Sequence, residues 1–368
     1  MYKLLLSIIG MCLCLNLKAQ TLTKEASNNF ARYTQKPEIT TLEKARKNID
    51  ESYKTKRDSM SYRVNLIRGM IYSSLAYADS TRKLKYVKDP INEALFSLER
   101  LKSPKLNDVH EPEIKFIRKQ LSNAWIIKAK QASRALNYSD AFNAYIWADS
   151  LSTDKFPLRH NLAVLSERLG YTDKAIQYYS YLITDNKRSL SDYYLALSNL
   201  YEQTRNSSKA LSVIQQGRKA FPGNKDLLFK ELNTYADNGA YETVSKLVDD
   251  ALEFLPDNLN LLYLAGFSFE MTGKKDRAEE YYKKIISLEQ NNYEGNYALG
   301  LLYLNSFLKA SDKSRDLLAE SRRYLVQAAE LNPNSVNVLK SLMILYTHTG
   351  NTLELQRVKN KLSQIILN

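Results

Sequence analysis

One pattern of side-chain sizes recurs every 34 residues from about Asn123 to the end of this chain. Between residues 259 and 292, Leu262, Ala265, Gly266 and Phe269 stand three or four apart, and so do Ala278, Tyr282 and Ile285. Spacings of three and four place each set along one side of a helix. Seven such units start near Ser122 and Phe156, then at Ser191, Lys225, Leu259, Tyr293 and Val336. The steps between starts are 34, 35, 34, 34, 34 and 43 residues. Chance does not hold phase over six intervals. The expectation is all-α: an α-α superhelix of about seven to eight helix–turn–helix repeats, each burying its apolar side against its neighbours.

At 368 residues, length alone suggests two or three domains, but a stack of repeats grows without splitting. With 44% hydrophobic and 25% charged residues, 11 Gly and 8 Pro, the chain is neither fibrous nor disordered in composition. Most of the 26 Tyr fall at apolar positions of the repeat, which makes them core residues.

The pattern resembles the tetratricopeptide repeat family over residues 122–368. The resemblance calls for a bulky residue at position 4, Leu and a small residue at 7 and 8, and an aromatic at 11. It calls for Ala at 20, an aromatic at 24, Ala at 27 and often Pro at 32. Leu262, Ala265-Gly266, Phe269, Ala278, Tyr282 and Ile285 meet it, as do Tyr194, Leu197-Ser198, Tyr201, Ala210, Ile214, Gly217 and Pro222. Lys128 and Glu231 depart from it at position 7, Arg159 and Asn296 at position 4, and looser packing is expected there. Nine extra residues around Asn305–Asp316 should lengthen both helices of the sixth unit by about a turn, with Ser311-Asp312-Lys313-Ser314 capping the second. The last unit ends without a further capping helix, so its outer side is either polar or covered by a partner.

The first residues read as a targeting segment. Lys3 precedes an apolar run, Leu4 to Leu17, and Leu17-Lys18-Ala19 offers a small residue for cleavage. The run is short for a membrane span, so residues 1–19 are expected to be a secretory signal, leaving no transmembrane segment after its removal. The Lys-Ala-Gln ending resembles export signals of Bacteroidota envelope proteins. Location would then be the periplasm, the outer membrane or the medium. Both cysteines, Cys12 and Cys14, lie in that segment, so the rest of the chain has no disulfide or thiolate chemistry.

Residues 20–112 read as an N-terminal helical region with one diverged repeat, and 113–368 as the array. Residues 20–38 show no period and are expected to be loose. Leu42–Lys56, Ser59–Tyr77 and Ile91–Lys102 read as helices, and Ser103–Pro112 as a connector to a long helix from Glu113. Of the net charge of +13, residues 21–138 carry +11, with 24 Lys and Arg against 13 Asp and Glu. Residues 139–368 are balanced at 27 each. The excess favours contact between the N-terminal third and an anionic surface.

Nothing points to catalysis. The three histidines, His110, His160 and His348, have no second His at metal-ligand spacing, and no phosphate loop or nucleophile elbow occurs. Glu279-Glu280 and Asp249-Asp250 are adjacent, so they point to different sides of a helix. No enzyme, cofactor or metal is expected. The resemblance implies instead a concave wall built from the first helix of each repeat, chiefly positions 2, 5, 9 and 12. Here positions 5 and 9 are Leu195 and Asn199, Phe229 and Asn233, Tyr263 and Phe267, and Tyr297 and Leu301, followed by Ile344. Aromatics on such a wall anchor a bound polypeptide segment, and the two Asn bond its backbone; the alternative is packing against the neighbouring first helix. A Lys–Asn clamp for terminal carboxylates is absent, since Leu195 and Phe229 stand where Lys would. Nucleic acid is not an expected partner. The reading is an exported interaction scaffold for a protein or peptide partner. Its rivals are a glycan- or lipopolysaccharide-binding protein and a self-associating structural protein. Asp58-Ser59, Asp79-Ser80 and Asp149-Ser150 resemble an envelope O-glycosylation acceptor, a short and weak motif.

Overall fold

The computed structural model describes residues 21–54, 56–310 and 315–367, and all regular structure among them is helical. The expected signal, residues 1–19, and the capping run Ser311-Asp312-Lys313-Ser314 lie outside the described residues. The helices gather into two compact units, one ending at Tyr193 and one beginning at Tyr194.

The first unit opens with α1, residues 21–35, where a loose segment was expected. Ala26 and Phe30 are buried, one turn apart, and the Phe30 ring meets Phe116 edge-on with centroids 6.1 Å apart. Thr23, Ala26 and Phe30 are buried and Tyr33 packs on the same core, a stripe at spacings of three and four whose polar and small members hide it in the sequence. Then come α2 (Ile39–Ser52), α3 (Lys56–Ser59), α4 (Tyr62–Ala78), α5 (Pro90–Glu99) and α6 (Pro104–Val109). The helix α6 lies inside the expected connector, because the Ser103 hydroxyl accepts from the Leu106 N–H and Pro104 takes a first-turn position where no donor is needed. The long α7 (Glu111–Arg134) packs with α4 along its first half and pairs with α8 (Tyr138–Leu151). The pair α9 (Phe156–Arg168) and α10 (Thr172–Leu182) follows.

The second unit begins inside α11 (Ser191–Gln203) and is a stack of pairs: α11 with α12 (Ser207–Ala220), and α13 (Lys225–Asp237) with α14 (Tyr241–Phe254). Next come α15 (Leu259–Met271) with α16 (Lys275–Leu288), α17 (Tyr293–Lys309) with α18 (Arg315–Leu331), and α19 (Val336–Thr349) with α20 (Thr352–Leu367). Local chemistry repeats with the array. Asn224, Asn258 and Asn292 each stand just before a first helix and accept from a backbone N–H at 3.0, 2.9 and 2.8 Å. Four of these turns place one residue at positive φ: Gly239, Gly273 and Gly350 do so freely, whereas Arg205 stands at 58°. The inserted residues lengthen α17 and α18 to 17 residues each, against 13 and 14 in α15 and α16.

The departures from the repeat are handled one by one. Asn296 is buried, and its amide donates to the carbonyls of Gln290 at 3.1 Å and Asn292 at 2.8 Å, so it fits its site without looseness. Glu231 is buried and pairs with Arg218 at 3.3 Å. Burial pushes its carboxyl up, and Arg218 pulls it back. In the first unit, Arg159 stacks 3.9 Å over the Tyr181 ring and pairs with Asp149 at 3.4 Å, while Lys128 is exposed. The outer side of α20 shows Gln356, Arg357, Lys359, Asn360, Ser363 and Gln364 to solvent, so the last helix supplies its own polar cover.

The tyrosines set the response to alkali. Burial, then a hydrogen bond to Asp249, pushes the Tyr281 phenol up to about 12. Burial raises Tyr72, Tyr179, Tyr282 and Tyr303 as well. Above about pH 10 the unfolded chain has lost protons that the folded state keeps. This part of the stability is therefore whole below pH 10 and falls as pH rises through the folded-state values. The expected result is that tyrosinate absorbance of these groups and loss of helical circular dichroism rise together between about pH 10 and 12. Complete tyrosine titration with the helices intact would refute it.

Candidate functional site

The nine residues of the expected wall all lie in the second unit, on α11, α13, α15, α17 and α19. Each is on a first helix because the 34-residue beat repeats its position. Leu195, Phe229, Tyr263, Phe267, Tyr297 and Leu301 are half-buried; Asn199, Asn233 and Ile344 are exposed, Ile344 by 41%. Phe229 and Tyr263 rest on the core of the middle repeats and Tyr297 on that of the last ones. Packing and display therefore coexist in Phe229, Tyr263 and Tyr297, which touch the core and keep part of their surface in solvent.

The aromatics are ordered among themselves. Tyr263 and Phe267, one turn apart on α15, are parallel with centroids 6.3 Å apart, and Tyr241 of α14 meets Phe267 edge-on at 5.0 Å. Tyr293 and Tyr297 on α17 repeat the parallel pair at 6.1 Å, with the Tyr293 hydroxyl 2.7 Å from that of Ser335. Burial first, and then the Glu270 carboxylate, raises the Tyr263 phenol, so it stays a neutral donor at physiological pH. Glu270 takes a hydrogen bond from Tyr282 at 3.1 Å, and its own carboxyl is raised by burial. Tyr293, Tyr241 and Glu270 were not foreseen. Tyr293 could have been, as Tyr297 follows one turn later; Tyr241 could not, because it reaches Phe267 from another helix.

One acid of each pair singled out by the sequence, and each histidine, has a neighbour. Asp249 is tied to Arg277 at 3.1 Å, and Glu279 to Lys283 at 2.5 Å and Tyr303 at 2.8 Å. His160 lies 3.2 Å from the Tyr193 hydroxyl, His110 is 3.4 Å from Glu113, and His348 packs edge-on to Phe307 at 5.7 Å. Among the described residues no cluster of three metal-ligating side chains occurs, and no helix is long and apolar enough to cross a membrane. Asp79 is buried and accepts from the Lys83 and Leu84 N–H groups, and Asp149 pairs with Arg159, so two of the three Asp-Ser pairs have a local structural use.

Residues 259–292, the fifth unit, match the family model described as tetratricopeptide repeat. Among curated proteins none matches. Among solved structures, the chain is similar to YrrB, titled a TPR protein with an unusual peptide-binding site: 15% identity, 55% of this chain and 98% of that one, TM-score 0.43. It is also similar to MamA from Desulfovibrio magneticus, at 14% identity, 48% and 93% coverage and a TM-score of 0.40. For MamA MSR-1 the values are 18%, 48%, 95% and 0.39.

Proposed function

We propose that this chain, built of tetratricopeptide-type helix pairs, is an exported, non-catalytic scaffold that docks a polypeptide segment on the first helices of its second unit. The observation that carries this reading is the row of half-exposed aromatic and apolar side chains there, Phe229, Tyr263, Phe267, Tyr297 and Leu301, continued by Ile344. Rings held partly in the core and against one another are rigid anchors that lose little freedom on binding. Asn199 and Asn233, exposed beside them, supply donors and acceptors for the backbone of an extended segment. The signal-like residues 1–19 support export to the envelope, and the basic excess of residues 21–138 supports an anionic contact there.

Selection from a displayed peptide library tests the docking. Selected peptides are expected to bind Phe267→Ala/Ile344→Ala at least about tenfold more weakly, with helicity unchanged, because both side chains have exposed area to lose. Peptides indifferent to that pair and to Phe229→Ala/Tyr297→Ala would end the reading.

A further inference from the structure

We propose that the loop between α4 and α5 and the tryptophan pair of α7 and α8 form one docking patch for an anionic phospholipid surface. This rests on the basic excess of the N-terminal third and gives it a place. The loop is fastened at its base. The buried Asp79 carboxylate accepts the N–H groups of Lys83 at 2.7 Å and Leu84 at 3.1 Å, Arg82 pairs with Asp89, and Leu84 and Tyr86 rest on the core. What the fastening holds out is Lys83, Lys85, Val87 and Lys88, all exposed, with Val87 wholly so.

Lys128 joins this loop to a second feature. It lines a crevice with Arg82 and Tyr86, and its ammonium lies 4.9 Å over the Trp125 ring. Trp125 is parallel to Trp147 with centroids 5.8 Å apart, and Trp147 is 49% exposed. These are the two tryptophans of the chain. A depression of about 370 Å³ runs beside them between α7 and α8, with Asp140 and Asn143 on its α8 side. Of the nearby acids, Asp89 is engaged by Arg82 and Glu93 by the buried Arg68, while Asp140 is exposed and holds the Asn137 amide at 2.6 Å. Lys88 keeps only a 4.0 Å contact with Glu93.

Indole rings suit the layer between headgroups and acyl chains, and lysines reach phosphates while their stems stay apolar. A lone apolar tip among cations serves insertion, whereas a soluble polyanion would use the cations and gain nothing from Val87. Each cation near a negative leaflet strengthens attachment by about fivefold.

Flotation of residues 21–368, which hold every described residue, with phosphatidylcholine vesicles containing or lacking phosphatidylglycerol tests this. Flotation with the anionic vesicles alone is expected, with a blue shift of tryptophan emission. Lys83→Glu/Lys85→Glu/Lys88→Glu should weaken it by about 100-fold or more. Val87→Asp and Trp147→Ala should each weaken it clearly. The equal charge change at exposed sites outside the loop, Lys24→Glu/Lys44→Glu/Lys119→Glu, should weaken it far less. Equal losses in the two triple variants would overturn the patch and leave the general anionic contact standing. No flotation with either vesicle would overturn both. Flotation indifferent to Val87→Asp and Trp147→Ala, or outcompeted by a soluble acidic polysaccharide, would assign the cations to a polyanion and overturn the lipid assignment.

Discussion

Replacing Arg68 by alanine is expected to cost the first unit about 3–5 kcal/mol, the penalty for breaking a buried charge pair. Arg68 is 1% exposed and pairs with Glu93. One of its terminal nitrogens donates to the Ser97 hydroxyl at 2.9 Å and the Glu93 carbonyl at 3.1 Å. Its guanidinium is sandwiched between the rings of Tyr53 at 4.5 Å and Tyr72 at 4.7 Å. The Tyr72 hydroxyl donates to Asp50 at 2.7 Å, and Asp50 is held by Arg46 at 3.0 Å. Alanine thus opens a void, leaves the Ser97 hydroxyl and the Glu93 carboxylate without their donor, and frees two rings. Lysine should not rescue, because one ammonium cannot fork to two acceptors and stack on planar rings at once. Methionine should recover part of the loss by filling the volume. Urea unfolding gives the size of the effect, and hydrogen exchange in the full chain should place the lost protection in α2, α4 and α5. A near-neutral Arg68→Ala would mean that this network contributes nothing to the fold.

Tyr282→Ala should cost the second unit a similar amount, about 3–5 kcal/mol, as for other large buried aromatics. The Tyr282 side chain is completely buried, and Gly266 leaves it room: a Cβ there would lie 2.4 Å from one ring carbon and 2.7 Å from the next. This explains why the repeat is small at position 8 and aromatic at position 24. In an open helix Gly→Ala gains about 1 kcal/mol. Gly266→Ala should instead destabilise, since overpacking typically costs about 1–3 kcal/mol. In the Tyr282→Ala background the same change should become neutral or stabilising, a coupling that a double-mutant cycle measures directly. Additive effects would show that ring and glycine do not meet.

Much of the second unit was legible because its determinants are local and repeated. Leu262, Ala265, Phe269, Ala278 and Tyr282 announce two helices and their buried sides by spacing alone, and the structure buries all five. The lengthened α17 and α18 were readable from a count of inserted residues. That the nine expected positions stand on first helices was readable, though not how far each is packed or exposed. That depends on how far a neighbouring helix covers each ring, as Tyr241 covers Phe267.

The sequence by itself determined the helical class, the repeat boundaries, the core stripes and the uneven charge, since each is a property of neighbours within about forty residues. Only the tertiary structure decided where the helix of residues 21–35 packs, because Phe30 finds Phe116 far along the chain. Only it decided that Arg68 is buried, in reach of Glu93 and Ser97 from another helix. The meeting of Trp125 and Trp147 depends likewise on the antiparallel register of α7 and α8. Contacts between distant segments leave no period in a single chain: each partner looks ordinary alone, and the energy appears only when packing brings both to one place.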